Sequence, residues 1–295
     1  MAGAAENARW TTDWSAQKLH PSELHDFEDL VADLYNWVAL SRPYEAEVKH
    51  GLVQHSQTMT RGRKCQTILS RLKLKSADRL QTYHAAILRY IIVELVMCCE
   101  NNEGGTIGSK LKRLVDLIGY LVNEVHAISV ELIDQEVDAI CLNDEAYPRL
   151  VGDPTPDSTR REMSAFGNFH DFTIMLYTRK FLESLMPAAK AFDAYFGPLP
   201  VQEDVTFYAV TGWLTRAHED IYQASSEFQA QWPVWYKLVS EKTAIYGRNK
   251  DQHSMRLAIS GRAAQKRMEM SDLRLAAFDR AIREGLIEAA GNVAA

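Results

Sequence analysis

Residues 110–141 read KLKRLVDLIGYLVNEVHAISVELIDQEVDAIC. Leu111, Leu114, Val115, Ile118, Leu121, Val122, Val125, Ile128 and Leu132 recur there at intervals of three and four. A chain turning every 3.6 residues brings such positions onto one side, so the spacing predicts one long amphipathic helix or two in line. Its end is acidic, through Glu131, Asp134, Glu136 and Asp138.

The same periodicity extends outward in both directions. Tyr83 to Glu100 is apolar nearly all round, the mark of a buried helix, and it runs into the breaker Asn101-Asn102-Glu103-Gly104-Gly105. Further upstream, Leu24, Phe27, Leu30, Val31 and Leu34, with Trp37 or Val38, follow Ser22 as a cap and stop at Pro43. Downstream, Tyr147-Pro148 through Gly152-Asp153-Pro154-Thr155-Pro156-Asp157 reads as a linker near the middle of the chain. Ser158 or Thr159 is placed to cap a helix running through Phe166, Phe169, Phe172, Leu176 and Phe181. Pro187 and Gly197-Pro198-Leu199-Pro200 read as stops, Val205 to Phe228 as a helix, and Met255 to Glu288 as one or two more.

No run of alternating β-branched residues is long enough to form a strand. The fold class expected is therefore all-α: a two-lobed helical core with an extended N-terminal arm and a helical C-terminal extension. The divisions are an arm over 1–20, lobes over 21–147 and 158–247, and a basic helical tail over 248–295.

With 295 residues, 46% hydrophobic and 24% charged, the chain suits a folded soluble protein with a sizeable core. Cys65, Cys98, Cys99 and Cys141 lack both CxxC pairing and the density of a disulfide scaffold, which fits a reducing compartment. The N-terminal MAGAAENARWTTDW has no apolar core of a signal peptide. The apolar run Ile91 to Cys99 carries Glu94 and is too short to span a bilayer. A soluble intracellular protein is expected.

Catalytic signatures are absent from the sequence. His20 with His25, His50 with His55, and His218-Glu219-Asp220 do not make HExxH, and His residues five apart leave a common helical face. Gly104-Gly105-Thr106-Ile107-Gly108-Ser109-Lys110 has glycines and a lysine but not the GK[ST] order of a phosphate-binding loop. No GxSxG occurs. The reading is a non-enzyme with neither metal nor cofactor.

Charge is segregated instead. The net charge is −6, yet Arg61, Arg63, Lys64, Arg71, Lys73 and Lys75 lie within fifteen residues without an acid. Cations sharing a groove hold a polyanion by releasing its counterions, whereas a merely solvated basic surface does not. Arg160-Arg161 opens a helix that carries Phe166, Phe169, His170, Phe172 and Tyr177. Guanidinium groups at a helix start suit phosphate, and exposed aromatics suit bases, although aromatics at helical spacing equally suit a core. Arg248, Lys250, Arg256, Arg262, Lys266 and Arg267 form a third basic zone, opposed by Asp251 alone. Acidic stretches at 23–33 and 131–145 offer the opposite sign for head-to-tail contact between identical subunits.

Three segments in order resemble the coat proteins of flexible filamentous plant viruses, the potyvirus- and potexvirus-like group. Val96-Met97-Cys98-Cys99-Glu100-Asn101-Asn102-Glu103-Gly104 is similar to an apolar helix ending in Glu-Asn-Gly. Ser158-Thr159-Arg160-Arg161-Glu162-Met163 is similar to a Thr-Leu-Arg-Gln segment, and Ala189-Lys190-Ala191-Phe192-Asp193-Ala194-Tyr195-Phe196 to an Ala-Phe-Asp-Phe motif, whose Ala-Phe-Asp pattern Ala276-Ala277-Phe278-Asp279 repeats. The resemblance implies a virion protein, present also in host cytoplasm, that coats single-stranded RNA and polymerises helically. It implies an RNA pocket built from Arg160 or Arg161, Asp193, and Thr106 or Ser109, with Asp193 orienting an Arg. Arg61, Arg63, Lys64, Arg71, Lys73 and Lys75 then add electrostatic grip, and segment 1–20, with Trp10 and Trp14, docks on a neighbour. The alternative is a helical interaction or scaffold protein without nucleic acid.

Overall fold

A computed structural model describes residues 77–100, 106–123, 128–143, 146–148, 156–197 and 203–283, apart from the side chains of 77–83, 120, 156–161 and 272–283. The expected arm over 1–20, the helix at 24–38, the basic segment 61–75 and the chain end after 283 lie outside these residues. What is described is all-α, with no strand among the described residues. The chain groups into two compact units that divide at Lys190/Ala191.

The first unit begins with α1 (Ala77–Tyr90), which passes directly into a π-helical turn at Ile91–Val96. Ile91, Ile92, Leu95 and Val96 are at most 3% exposed, which accounts for the all-round apolar character of this stretch. The wider π ladder leaves carbonyls at its end, and Asn168 answers them by donating Nδ2 to the Cys99 oxygen at 2.9 Å. The 110–141 stretch forms two helices, α2 (Ile107–Asn123) and α3 (Val130–Leu142). Ser129 caps α3, its hydroxyl accepting from the Leu132 N–H at 3.2 Å.

Next comes α4 (Pro156–Thr178). It starts at Pro156, so Ser158 and Thr159 fall inside its first turn and not at its cap. Proline's fixed φ and missing N–H suit the first helical position. The helix stops before Phe181 because Lys180 takes φ 63°. Phe181 N–H then bonds to Leu176 O at 2.9 Å and Lys180 N–H to Tyr177 O at 3.0 Å, a Schellman closure. Within this unit α1 packs on α3, α2 on α4, and the π turn on α1, α2 and α4. The 148–157 linker therefore does not separate compact units, since the helix after it packs on those before it.

The division falls within α5 (Met186–Phe196), where Pro187 occupies the first turn and opens a helix instead of stopping one. The second unit is built on α6 (Glu203–Ala224), α7 (Ser226–Arg248) and α8 (Gln252–Arg283). Each of the three packs on the other two. Phe207, Trp213 and Trp232 are at most 1% exposed and fill the centre. The 248–295 stretch is thus no separate tail over 252–271: Leu257, Ala258, Ala264 and Met268 are at most 2% exposed. Helix α8 is a structural member of the bundle.

Candidate nucleic-acid interface

Two expected pocket residues turn out to hold a helix end. Thr106 and Ser109 are both exposed at the start of α2. Ser109 N–H donates to Thr106 Oγ1 at 3.3 Å, and Ser109 Oγ donates to Thr106 O at 2.8 Å. The pair satisfies groups that the first turn leaves open, which is why hydroxyl residues stand at this spacing. Arg160 and Arg161 lie on the first turns of α4 in the first unit, their side chains outside those described. Asp193 is exposed on α5 within the second unit. Its neighbour Phe192 is 3% exposed and packs edge-on against Trp235, ring centroids 4.6 Å apart. The Ala-Phe-Asp signature thus combines a core aromatic with a solvated carboxylate. Arg61, Arg63, Lys64, Arg71, Lys73 and Lys75 lie outside the described residues.

The aromatics after Arg161 do not form a stacking platform. Phe166, Phe169 and Phe172 are at most 1% exposed. His170 sits among them, 4.3 Å from the Phe166 ring centroid, with Nε2 3.1 Å from the Tyr147 hydroxyl. Burial pushes His170 down to about 3, so it is neutral at ordinary pH. This cluster belongs to the core.

The cationic face that the structure does display is on α8. Between Glu241 and Glu269 the sequence has a single acid, Asp251. Asp251 is committed to capping: its carboxylate accepts from the Ser254 N–H at 2.8 Å, and bonds from Ser254 hold its carboxyl below the ordinary value. Arg256, Arg262, Lys266 and Arg267 are all exposed. None of them pairs with a carboxylate among the described residues. At 100° per residue these four fall on one side of the helix, opposite Leu257, Gly261, Ala264 and Met268. From Arg256 to Lys266 they span roughly 15 Å of helix axis. Met255 and Ile259, 52% and 60% exposed, lie between the cations and offer apolar contact.

Local chemistry keeps this face turned outward. Thr211 Oγ1 and Ser260 Oγ are 2.7 Å apart and join α6 to α8. Gly261 lets α8 approach α7 so closely that any side-chain carbon there would overlap Thr243. At the open end of the bundle, Asp204 accepts from the Tyr246 hydroxyl and lies 3.1 Å from His253 Nε2. The rotation of α8 is fixed from two sides, and its basic stripe is left to solvent. The sequence did mark these cations, but the small buried residues Ala258, Gly261 and Ala264 made the segment read as a tail.

Among the described residues no cluster of His, Cys, Asp and Glu is arranged to hold a metal. No helix among them is long and apolar enough to cross a membrane. Buried ionisable groups do occur singly. Glu94, on the π turn, has Oε1 without a hydrogen-bond partner, and burial pushes its carboxyl up to about 7. Since this is above the unfolded value, the folded state holds a proton that the unfolded chain has released between about pH 4.5 and 7. Stability from this group is complete at low pH and is lost as pH rises through 7. Glu94→Gln is expected to match the wild type near pH 4.5 and to exceed it by about 2–3 kcal/mol at pH 8. Urea melts at the two pH values check this; equal stabilities at both would show that Glu94 is solvated.

No protein-family model, no curated protein and no solved structure matches this chain.

Proposed function

We propose that the protein is a non-enzymatic RNA-coating subunit, a coat or nucleocapsid protein that binds single-stranded RNA without sequence preference and assembles into a helical filament. The observation that carries this reading is the exposed stripe Arg256, Arg262, Lys266 and Arg267, which no described carboxylate neutralises. Four cations in a row on a rigid helix match a polyanion better than a small ligand, because each phosphate contact adds its own counterion release. The net charge of −6 is compatible with this. A coating subunit neutralises only the few phosphates it covers, and negative charge elsewhere limits indiscriminate binding.

Backbone phosphates are the targets on this reading, with Met255 and Ile259 against sugar or base faces. Contacts to backbone phosphates carry no sequence information, so binding on this reading is independent of sequence. Arg61, Arg63, Lys64, Arg71, Lys73 and Lys75 supply further grip, and Arg160 or Arg161, and separately Asp193, are the RNA-contacting residues implied by the coat-protein resemblance. The protein then resides in the virion and in host cytoplasm.

A second reading, a helical scaffold without nucleic acid, is favoured by Val234, Leu238 and Ile245, which α7 leaves between 40% and 51% exposed. Purification at low salt separates the two. The coat reading expects an absorbance ratio at 260/280 nm raised by nuclease-protected RNA, and filaments by negative stain. A nucleic-acid-free, monodisperse particle at low salt contradicts it and leaves the scaffold.

A further inference from the structure

A row of uncompensated cations is not the default on a helix, because carboxylates three or four residues away pair with them. Two acids flank the α8 stripe along the chain, Asp251 and Glu269, and both are turned away from it. Asp251 caps its own helix, accepting from the Ser254 N–H. Glu269 stands closer to the cations. It follows Lys266 by three residues, about 60° round the helix and roughly 4.5 Å along it, which makes the two surface neighbours. Arg262 lies two turns earlier, about 20° away round the same side. Glu269 is exposed, yet among the described residues it pairs with neither cation. Its Oε1 accepts instead from the Tyr236 hydroxyl of α7 at 2.5 Å.

We propose that Tyr236 is a positioning residue for RNA binding: its hydroxyl holds the Glu269 carboxylate against α7, off Lys266 and Arg262, and so keeps these cations for phosphate. The inference rests on the coat reading. The bond is charge-assisted, and it ties a long exposed side chain to a half-buried one on the neighbouring helix. A phenol hydroxyl carries no charge, so it restrains the carboxylate without adding a competitor for it or for RNA. Once released, the carboxylate has its nearest opposite charge in Lys266, one turn back. An ion pair there takes up a phosphate contact. Repulsion between the carboxylate and the RNA backbone also grows as the two come well inside the Debye length, about 10 Å at 0.1 M salt.

Titration of a single-stranded RNA homopolymer tests it, with the nuclease-treated wild type, Tyr236→Phe, Glu269→Gln and the double variant. Tyr236→Phe keeps the ring and removes the hydroxyl alone, so helical circular dichroism is expected to be unchanged. Its RNA affinity is expected to fall about fivefold at 0.1 M salt, with the slope of log K against log salt flatter by about 0.7, the counterion release of one contact. Glu269→Gln is expected to bind at least as tightly as the wild type. In that background Tyr236→Phe is expected to cost nothing, because no carboxylate is left to restrain. This rescue separates positioning from direct contact. A tyrosine that touches RNA itself, or merely supports the fold, loses affinity equally in both backgrounds, and that result overturns the proposal. A Tyr236→Phe protein that binds as the wild type binds overturns it too. A wild type that takes up no RNA even at low salt overturns the coat reading, and the inference falls with it.

Discussion

Gly261→Ala is expected to lower the stability of the protein by about 2 kcal/mol, although alanine is the better helix former by about 1 kcal/mol. The reason is the crossing of α7 and α8. A Cβ built at Gly261 overlaps Thr243 Oγ1, and it lies 3.1 Å from Thr243 Cβ and 3.0 Å from Phe207 Cζ. Both neighbours are buried, so neither side chain has free space to enter. Thr243 Oγ1 has no hydrogen-bond partner, and Thr243→Ala alone is therefore nearly neutral. In the double variant the alanine at 243 removes the oxygen that the new methyl strikes, and most of the loss is recovered. A favourable coupling of about 1–2 kcal/mol in the double-mutant cycle is the signature. Urea melts read all four proteins. A stabilised Gly261→Ala, following helix propensity alone, would show that the helices do not cross this closely.

Glu136→Ala costs more, about 3–5 kcal/mol. Arg89 on α1 donates both Nε and Nη2 to the two Glu136 oxygens on α3, the latter at 2.8 Å. The side chains are 14% and 7% exposed, so the pair is largely removed from water. Deleting the carboxylate leaves the guanidinium desolvated without this fork, and its desolvation cost is no longer offset. Replacing both partners at once, as Arg89→Met with Glu136→Leu, is expected to be nearly neutral, because no charge is then left buried. Thermal and urea unfolding distinguish the cases. A Glu136→Ala protein within about 1 kcal/mol of the wild type would place the pair in solvent.

The helical character of the chain was legible because its core helices bury one face each. Residues 110–141 illustrate both the strength and the limit. Their apolar phase continues through Val122 and Val125, which hides the division into α2 and α3. The marker of the new helix start was present in Ser129, three residues before Leu132. Helix α7 left a weaker trace than its neighbours. Its buried Trp232, Trp235 and Val239 are interleaved with exposed Val234, Leu238 and Ile245, so apolar residues occupy both sides and the periodicity flattens. Pro233 within the helix adds a false break.

Sites were less legible than folds, for a physical reason. A residue type is shared between structural and binding tasks. Thr106 and Ser109 suit a phosphate pocket and also a helix cap, and their hydrogen bonds show the capping role. Phe166, Phe169 and Phe172 suit stacking and also a core, and burial assigns them to the core. The α8 cations were visible as a cluster, but only the packing of Gly261 and Ser260 shows that they share one rigid, exposed face.

That face carries the central claim, and the salt dependence of its binding is the most direct test. Equilibrium titration of a single-stranded RNA homopolymer is made across a range of salt with the wild type and with Arg256→Gln/Arg262→Gln/Lys266→Gln. All three positions are exposed, so the variant retains the fold. Each phosphate contact on single-stranded nucleic acid adds about 0.7 to the slope of log K against log salt, and removing three is expected to flatten it by about 2. An unchanged slope in the folded variant would contradict the account and mark the stripe on α8 as an ordinary solvated surface.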